Sequence, residues 1–441
     1  MRPSDASGLM RRCGLLRSKR GRCRALARCY DGGMESKGEK KTIWSAAFVA
    51  LLIVNFLRMM GQAIGNTVVP LYAYELGATA SIVGFVSGAF AITALAIRPF
   101  AGPAFDSFSK KKLFLIFGIV LAVAGYAYAF ADNVPMIVAV RLLHGIGMGC
   151  TAPLGLAIVS EILPIEKMNS GISIYTLAQT VAIAIGPAFG VWAVDEIGYF
   201  ATFMVMGTFL AVTCMVIVIF VKEGPPRRRP PYQLRLGRMF ASRALGLTAV
   251  MMLMAIAFSC VGSFLVIYGR QLGIAEIGLF FTINAGCMLA TRPLFGRLSD
   301  KYGADKVILP AMVMFALSFV VLAFADGMPM IIASAVISAC GYGAASPLVQ
   351  AVIFKCVPRS QRGSASNTSY IGLDLGNLIG PYAGGAVVDL LVPLVGGETA
   401  AYSGLWLALL VPIFAGLALF VILIPRLRRY EAEAAEEDGG E

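Results

Sequence analysis

Arg98–Lys112 reads RPFAGPAFDSFSKKK, and Arg292–Lys306 reads RPLFGRLSDKYGADK. Slid by 194 residues, Arg98-Pro99-x-x-Gly102-x-x-x-Asp106 falls on Arg292-Pro293-x-x-Gly296-x-x-x-Asp300. The same offset lays Asp132-x-x-Pro135-Met136 on Asp326-x-x-Pro329-Met330. It lays Gly147-x-Gly149-x-x-x-Pro153-Leu154 on Gly341-x-Gly343-x-x-x-Pro347-Leu348. Further on, Gly186-Pro187-x-x-Gly190 with Asp195 falls on Gly380-Pro381-x-x-Gly384 with Asp389. Across roughly a hundred positions more than twenty match, where composition alone yields about eight. The matches are Gly, Pro and charged residues, which shared hydrophobicity does not produce. The chain is an internal repeat.

Between these marks the chain is apolar: 58% hydrophobic and 14% charged over 441 residues, with mean hydropathy +0.78. Soluble domains carry about 25% charged residues. Ile43–Leu57, Leu113–Ala131, Phe200–Val221, Val307–Ala325 and Leu405–Ile424 approach or reach the ~20 residues that cross hydrocarbon. The 48 glycines suit closely packed membrane helices. Helices are expected near 43–72, 80–103, 112–131, 134–160, 168–194 and 199–221, then 244–269, 274–297, 306–325, 328–355, 363–390 and 402–424. This is an all-α membrane protein of twelve transmembrane helices in two pseudo-symmetric six-helix bundles, 43–221 and 244–424. The offset spans six helices, so the halves share one orientation, as in parallel transporter repeats.

The loops alternate in charge. Lys110–Lys112, Lys167, Arg227–Arg229, Arg243, Lys301, Arg359 and Arg426–Arg429 mark one side; Glu75, Asp132, Asp195, Glu276, Asp326, Asp389 and Glu398 mark the other. By the positive-inside rule both termini, the 222–243 linker and the 425–441 tail are cytoplasmic, and the membrane is the cell's inner one. The net charge of +12 is therefore topological, and no nucleic-acid partner is expected. Residues 1–42 form a basic, disordered segment without the apolar core of a signal peptide. Translation starting at Met34, whose MESKGEKKTIW leads directly into the first span, is one expectation for this stretch, and a disordered basic tail translated in full is the other.

Enzyme chemistry finds no footing. The nine cysteines show no framework or metal-ligand spacing, and one histidine excludes a His-based metal site. There is no G-x-x-x-x-G-K-[ST] loop, so energy comes from a gradient, and no cofactor is expected.

With these residues in hand, Gly102-x-x-x-Asp106-x-x-Ser109-Lys110-Lys111 and Gly296-Arg297-Leu298-Ser299-Asp300-Lys301-Tyr302-Gly303 resemble the loop signature of the major facilitator superfamily, the second copy more closely. Arg141-x-x-His144-Gly145-x-Gly147 is similar to a motif of its proton-coupled members. Gly186-Pro187-x-x-Gly190 is similar to a motif of its twelve-span drug:proton antiporters, though Ala182 and Val191 replace two of that motif's glycines. The resemblance implies a cytoplasmic gate of Arg98, Gly102, Asp106, Arg292, Gly296 and Asp300, and a monomer. Gly186, Pro187, Gly190, Gly380, Pro381 and Gly384 are candidate hinges, because Pro breaks the helix ladder and Gly permits bending.

Arg58, Arg141 and Asp374 lie within spans, where a charge facing lipid costs about 2.5–3.5 kcal/mol. They are expected at a central cavity, Asp374 as the proton-coupling carboxylate with Arg58 or Arg141 beside it. A static Asp–Arg pair, or an Arg141 that snorkels to the interface, is the alternative. Asn55, Gln62, Tyr175, Gln179, Asn284, Tyr370 and Asn377 are candidate substrate contacts or interhelical hydrogen bonds. The leading reading is proton-coupled export of small amphiphilic compounds or metabolites. Uptake of a small organic solute by symport or facilitated diffusion, and a non-transporting receptor or scaffold, are the alternatives.

Overall fold

The computed structural model describes residues 44–163, 168–221, 241–274, 276–358 and 362–439. Residues 1–42 and most of the 222–243 linker lie outside them. The described residues are helical, without a strand: α1 Ala46–Glu75, α2 Ala80–Ser107, α3 Lys110–Ala127 and α4 Val134–Ile162, then a run Met168–Phe220. That run turns at Gly198, whose φ of 78° only glycine adopts without strain, giving α5 (168–197) and α6 (199–220). The second half holds α7 Leu245–Gln271, α8 Leu279–Tyr302, α9 Ala304–Ala323, α10 Met328–Lys355, α11 Arg362–Val395, α12 Glu398–Ala408 and α13 Leu410–Gly439. Among the described residues, ten stretches are long and apolar enough to cross a membrane. With the break at Gly198 and the more polar α8, the set is consistent with twelve crossings, α12 and α13 together making the last.

Local chemistry sets the helix starts. Ser45 Oγ accepts from Phe48 N at 3.2 Å, and Asn133 Oδ1 from Met136 N at 3.0 Å, each taking up a first-turn donor. The two copies of the loop signature differ here. Gly303 sits at φ 95°, whereas its counterpart Ser109 lies at φ −65° and caps α3 through Lys112 N. Serine in place of glycine thus exchanges a glycine-only turn for a side-chain cap.

α1 to α6 pack among themselves, α7 to α13 among themselves, and the two sets meet chiefly through α2 on α11, the α5–α6 run on α8, and α1 on α7. The first two seams are the same seam under the repeat. The end carrying Lys110–Lys112 and Arg243 is here called the basic end; that carrying Glu75, Asp195, Asp389 and Glu398, the acidic end. Within the segment expected as a cytoplasmic tail, 425–441, the chain continues α13 as far as Gly439. An Ala/Glu-rich stretch propagates a helix well, and Arg243 Nη2 fastens it to Glu433 at 3.3 Å and Glu437 at 2.9 Å.

Candidate functional site

Between the two sets lies a cavity of about 270 Å³. Met59, Phe90, Ile183, Phe258, Phe280, Phe281 and Met288 supply an apolar wall; Gln62, Asn66, Ser87, Ser259, Ser263, Asn284 and Asn377 supply polar points. Pro187 and Pro381, the prolines of the repeated Gly-Pro motif, both line it, one from each half. Among the described lining residues Arg141 is the one charged side chain.

Arg141 does not snorkel. It is 1% exposed, and its Nε donates to Val86 O at 3.2 Å, its Nη2 to Asn66 Oδ1 at 3.1 Å and to Ser87 O at 3.2 Å. Phe90 lies under the guanidinium, 5.0 Å away. Gln62 continues the network, with Nε2 donating to Asn66 Oδ1 at 3.0 Å and Oε1 lying 3.1 Å from His144 Nε2. The positive charge therefore rests on neutral oxygens. Arg58 is also buried, donating to Asn55 Oδ1 at 3.1 Å and Met148 Sδ at 3.4 Å.

Toward the acidic end the sets meet backbone to backbone. A Cβ on Gly84 would fall on the carbonyl of Pro381, one on Gly385 on the carbonyl of Ala80, and one on Gly88 would come within 2.8 Å of Leu378 O. Asp389 of α11 accepts from Ala80 N at 3.0 Å and Ser81 N at 2.9 Å. It does for α2 what Thr79, which makes no side-chain cap, does not. Arg270 joins Glu75 at 2.8 Å and Asp195 at 2.6 Å, and Glu398 accepts from Tyr74 and Gln271, both at 2.6 Å. Asp389→Ala removes the acceptor of two first-turn donors. Losing such a cap costs about 1 kcal/mol, so the acidic end should open about fivefold more often. Labelling of a Ser263→Cys variant by an impermeant thiol reagent from that side measures this.

Toward the basic end, about two turns past the lining residue Phe90 of α2 and about one turn from Asn377 of α11, Arg98 meets Asp374. The Arg98 Nε lies 2.6 Å from Asp374 Oδ2, and the guanidinium 5.4 Å over the Tyr370 ring. The repeat relates Arg98 to Arg292 and Asp374 to Thr180. Arg292 Nη1 indeed donates to Thr180 Oγ1, at 3.4 Å. The cavity floor thus has two equivalent cross-set contacts, only one of which holds a carboxylate.

The expected residues therefore separate. Arg141, Gln62, Asn284 and Asn377 line the cavity. Asp374 does not, and the arginines expected beside it, Arg58 and Arg141, are not its partners; Arg98 is. Arg58 turns to α4, and Arg141 meets the α2 backbone at Val86 and Ser87, about three turns along that helix from Arg98, where Asp374 meets it. Asn55 donates to Tyr175 O at 2.9 Å, away from the cavity lining. Tyr370 lies under Arg98, and Gln179 is half-buried on α5. Of the candidate hinges, Gly186 and Gly190 admit α1 closely and Gly380 and Gly384 admit α7, so in this state they are close-packing points. Gly296 has open space where a Cβ would sit. Of Gly102, Asp106 and Asp300 only the helical backbone is described. His144, the chain's one histidine, carries no role in the sequence beyond its place in the Arg141 motif, and the structure buries it against Gln62 of the lining. The lining phenylalanines carried no signal, since lipid-facing and cavity-facing aromatics read alike.

A Cβ on Gly262 would meet nothing within 4 Å, so this lining position accepts a side chain without distorting its helix. Gly262→Leu should fill the cavity and lower transport more than tenfold, while thermal unfolding stays within a few degrees. Unchanged transport would place the substrate elsewhere.

The chain matches the family described as Major Facilitator Superfamily over residues 51–275 and 247–440. It is 27% identical over 363 residues to the staphylopine export protein of Staphylococcus aureus, covering 78% of this chain and 90% of that protein. It is 23% identical over 347 residues to the multi-drug resistance efflux pump PmrA of Streptococcus pneumoniae, covering 76% and 87%. Among solved structures, a bacterial homolog of the human lysosomal transporter Spinster, inward-facing and unoccupied, superposes with TM-score 0.73 at 15% identity, covering 90% of this chain and 99% of that one. The nucleoside transporter NupG superposes with TM-score 0.68 at 17% identity, covering 85% and 99%. At these identities the likeness is one of fold.

Proposed function

The chain belongs to the major facilitator superfamily, and on that basis we propose that it exports small amphiphilic compounds or metabolites in exchange for protons. The observation that carries the reading is a cavity between two repeat-related helix sets, with backbone contact between the sets toward one end and the Arg98–Asp374 pair between them toward the other. Two sets that separate at alternate ends expose such a cavity to each side in turn. Export is supported by the relatives named for staphylopine export and multidrug efflux.

The basic end faces the cytoplasm, the membrane is the cell's inner membrane, and the working unit is a monomer. In the cycle, ionised Asp374 pairs with Arg98 and holds the basic end shut. A proton arriving from the acidic side neutralises the carboxylate, the pair loses its Coulomb attraction, and α2 and α11 part at the basic end. The proton leaves to the cytoplasm, cargo enters, and the restored pair closes behind it. One cargo leaves for each proton entering.

The test uses everted membrane vesicles made acidic inside by respiration. Cargo should accumulate within them and raise their internal pH, and a protonophore should abolish both effects. Accumulation that survives the protonophore would remove proton coupling; cargo movement only out of the vesicles would reverse the direction.

A further inference from the structure

We propose that the cargo of this cavity is an anionic amphiphile, a compact body of one or two rings bearing a single carboxylate or comparable acidic group that faces the Arg141 side. The inference rests on the export reading above and names its substrate class.

The argument begins from charge. A buried ion is tolerated when an opposite charge or a dense set of hydrogen bonds compensates it. Asp374 and Arg98 compensate each other. Arg141 has hydrogen bonds to Val86 O, Ser87 O and Asn66 Oδ1 but, among the described residues, no carboxylate within salt-bridge distance. Arg58 stands likewise on Asn55 Oδ1 and Met148 Sδ, next in sequence to the lining residue Met59. The first half of the repeat thus holds two guanidinium groups whose charge nothing described there neutralises, and no described cavity-lining residue is acidic. Low-dielectric walls focus this positive potential into the cavity. A cationic cargo meets repulsion from both arginines, whereas an anionic one supplies the missing counter-charge. The opposite wall, with Phe258, Phe280, Phe281 and Met288, offers flat apolar area for the rings. The cavity of about 270 Å³ limits the body to that size.

The test compares 1-naphthaleneacetate, its methyl ester and 1-naphthylethylamine as probes of one shape and three charges. Binding to the full chain in nanodiscs is measured first, then accumulation in everted vesicles. The carboxylate should bind about tenfold or more tighter than the ester, and the amine least. Asn66→Asp keeps the acceptor 3.1 Å from Arg141 Nη2 and therefore the local hydrogen bond, but adds the counter-charge. It should erase the preference for the carboxylate and raise amine binding. Arg141→Lys, which retains the charge, should keep the order of the three probes. An amine bound as tightly as the carboxylate, an order unmoved by Asn66→Asp, or no binding of any probe would each overturn the inference. Carboxylate binding without accumulation would overturn the export reading and still support the assignment of the cavity. Accumulation of the amine alone would do the reverse.

Discussion

Asp374→Asn should reduce uphill export at least a hundredfold while leaving downhill exchange of cargo largely in place. Asparagine is nearly isosteric with aspartate and remains within reach of Arg98, so the floor of the cavity keeps its shape. What disappears is the cycle of charge, because an amide neither binds the entering proton nor releases it. Respiring everted vesicles should therefore show no cargo-driven rise in internal pH, while counterflow between cargo-loaded and cargo-free compartments continues. The repeat supplies a second arm. Thr180 occupies the position equivalent to Asp374 and already accepts from Arg292, at 3.4 Å. Thr180→Asp added to Asp374→Asn moves the carboxylate to the other equivalent floor contact and should restore part of the uphill transport. Full uphill transport in Asp374→Asn alone would falsify the coupling role and leave the pair a static helix tie.

Gly385→Val should stop the cycle at a different point. The Cβ of a residue at 385 would lie on the carbonyl of Ala80, a backbone atom that cannot swing aside as a side chain does. α2 and α11 must then separate where they now touch. Overpacking of this kind costs about 1–3 kcal/mol, enough to shift a two-state balance by about 5- to 150-fold. Because the strain exists only when the acidic end is shut, it destabilises that state against the open one. Export should fall in proportion, and a Ser263→Cys probe should become reactive from the acidic side. Gly84→Val, which meets the carbonyl of Pro381 from the facing helix, should behave alike. Gly262→Ala, in open space, is the control that should change little. The equivalent of Gly84 in the other half is Gly278, whose Cβ would come to 3.1 Å of Ala188 Cα. That seam is looser, so Gly278→Val should have the smaller effect.

The shape of the site was only partly legible. Depth in the membrane reads directly off the chain: Arg58, Arg141 and Asp374 are each many residues from a span end, and the structure keeps all three buried. Which of them meet is a different quantity. Arg98 and Asp374 lie on helices from different halves, and a helix reveals the direction of a side chain only relative to its own axis. Their common place within spans groups Asp374 with Arg58 and Arg141, although Arg141 lies toward the acidic end of α4. The packing of α2 on α11 gave Asp374 to Arg98, a residue first placed in the loop motif.

The amino-acid order alone determines the spans, the repeat and the polarity of the two ends, because each follows from local composition or from identity at a fixed offset. Transfer of a side chain to lipid depends on that side chain, and a duplicated motif carries its own register. The tertiary structure alone decides the contacts between the two sets and the lining of the cavity. Ala80 N–H finds Asp389 Oδ1 at 3.0 Å, and Arg98 finds Asp374 at 2.6 Å, across more than 250 intervening residues. No periodicity encodes such contacts. They arise when glycines let two backbones approach, and the packing that follows fixes which charge meets a carboxylate and which, as with Arg141, rests on neutral oxygens.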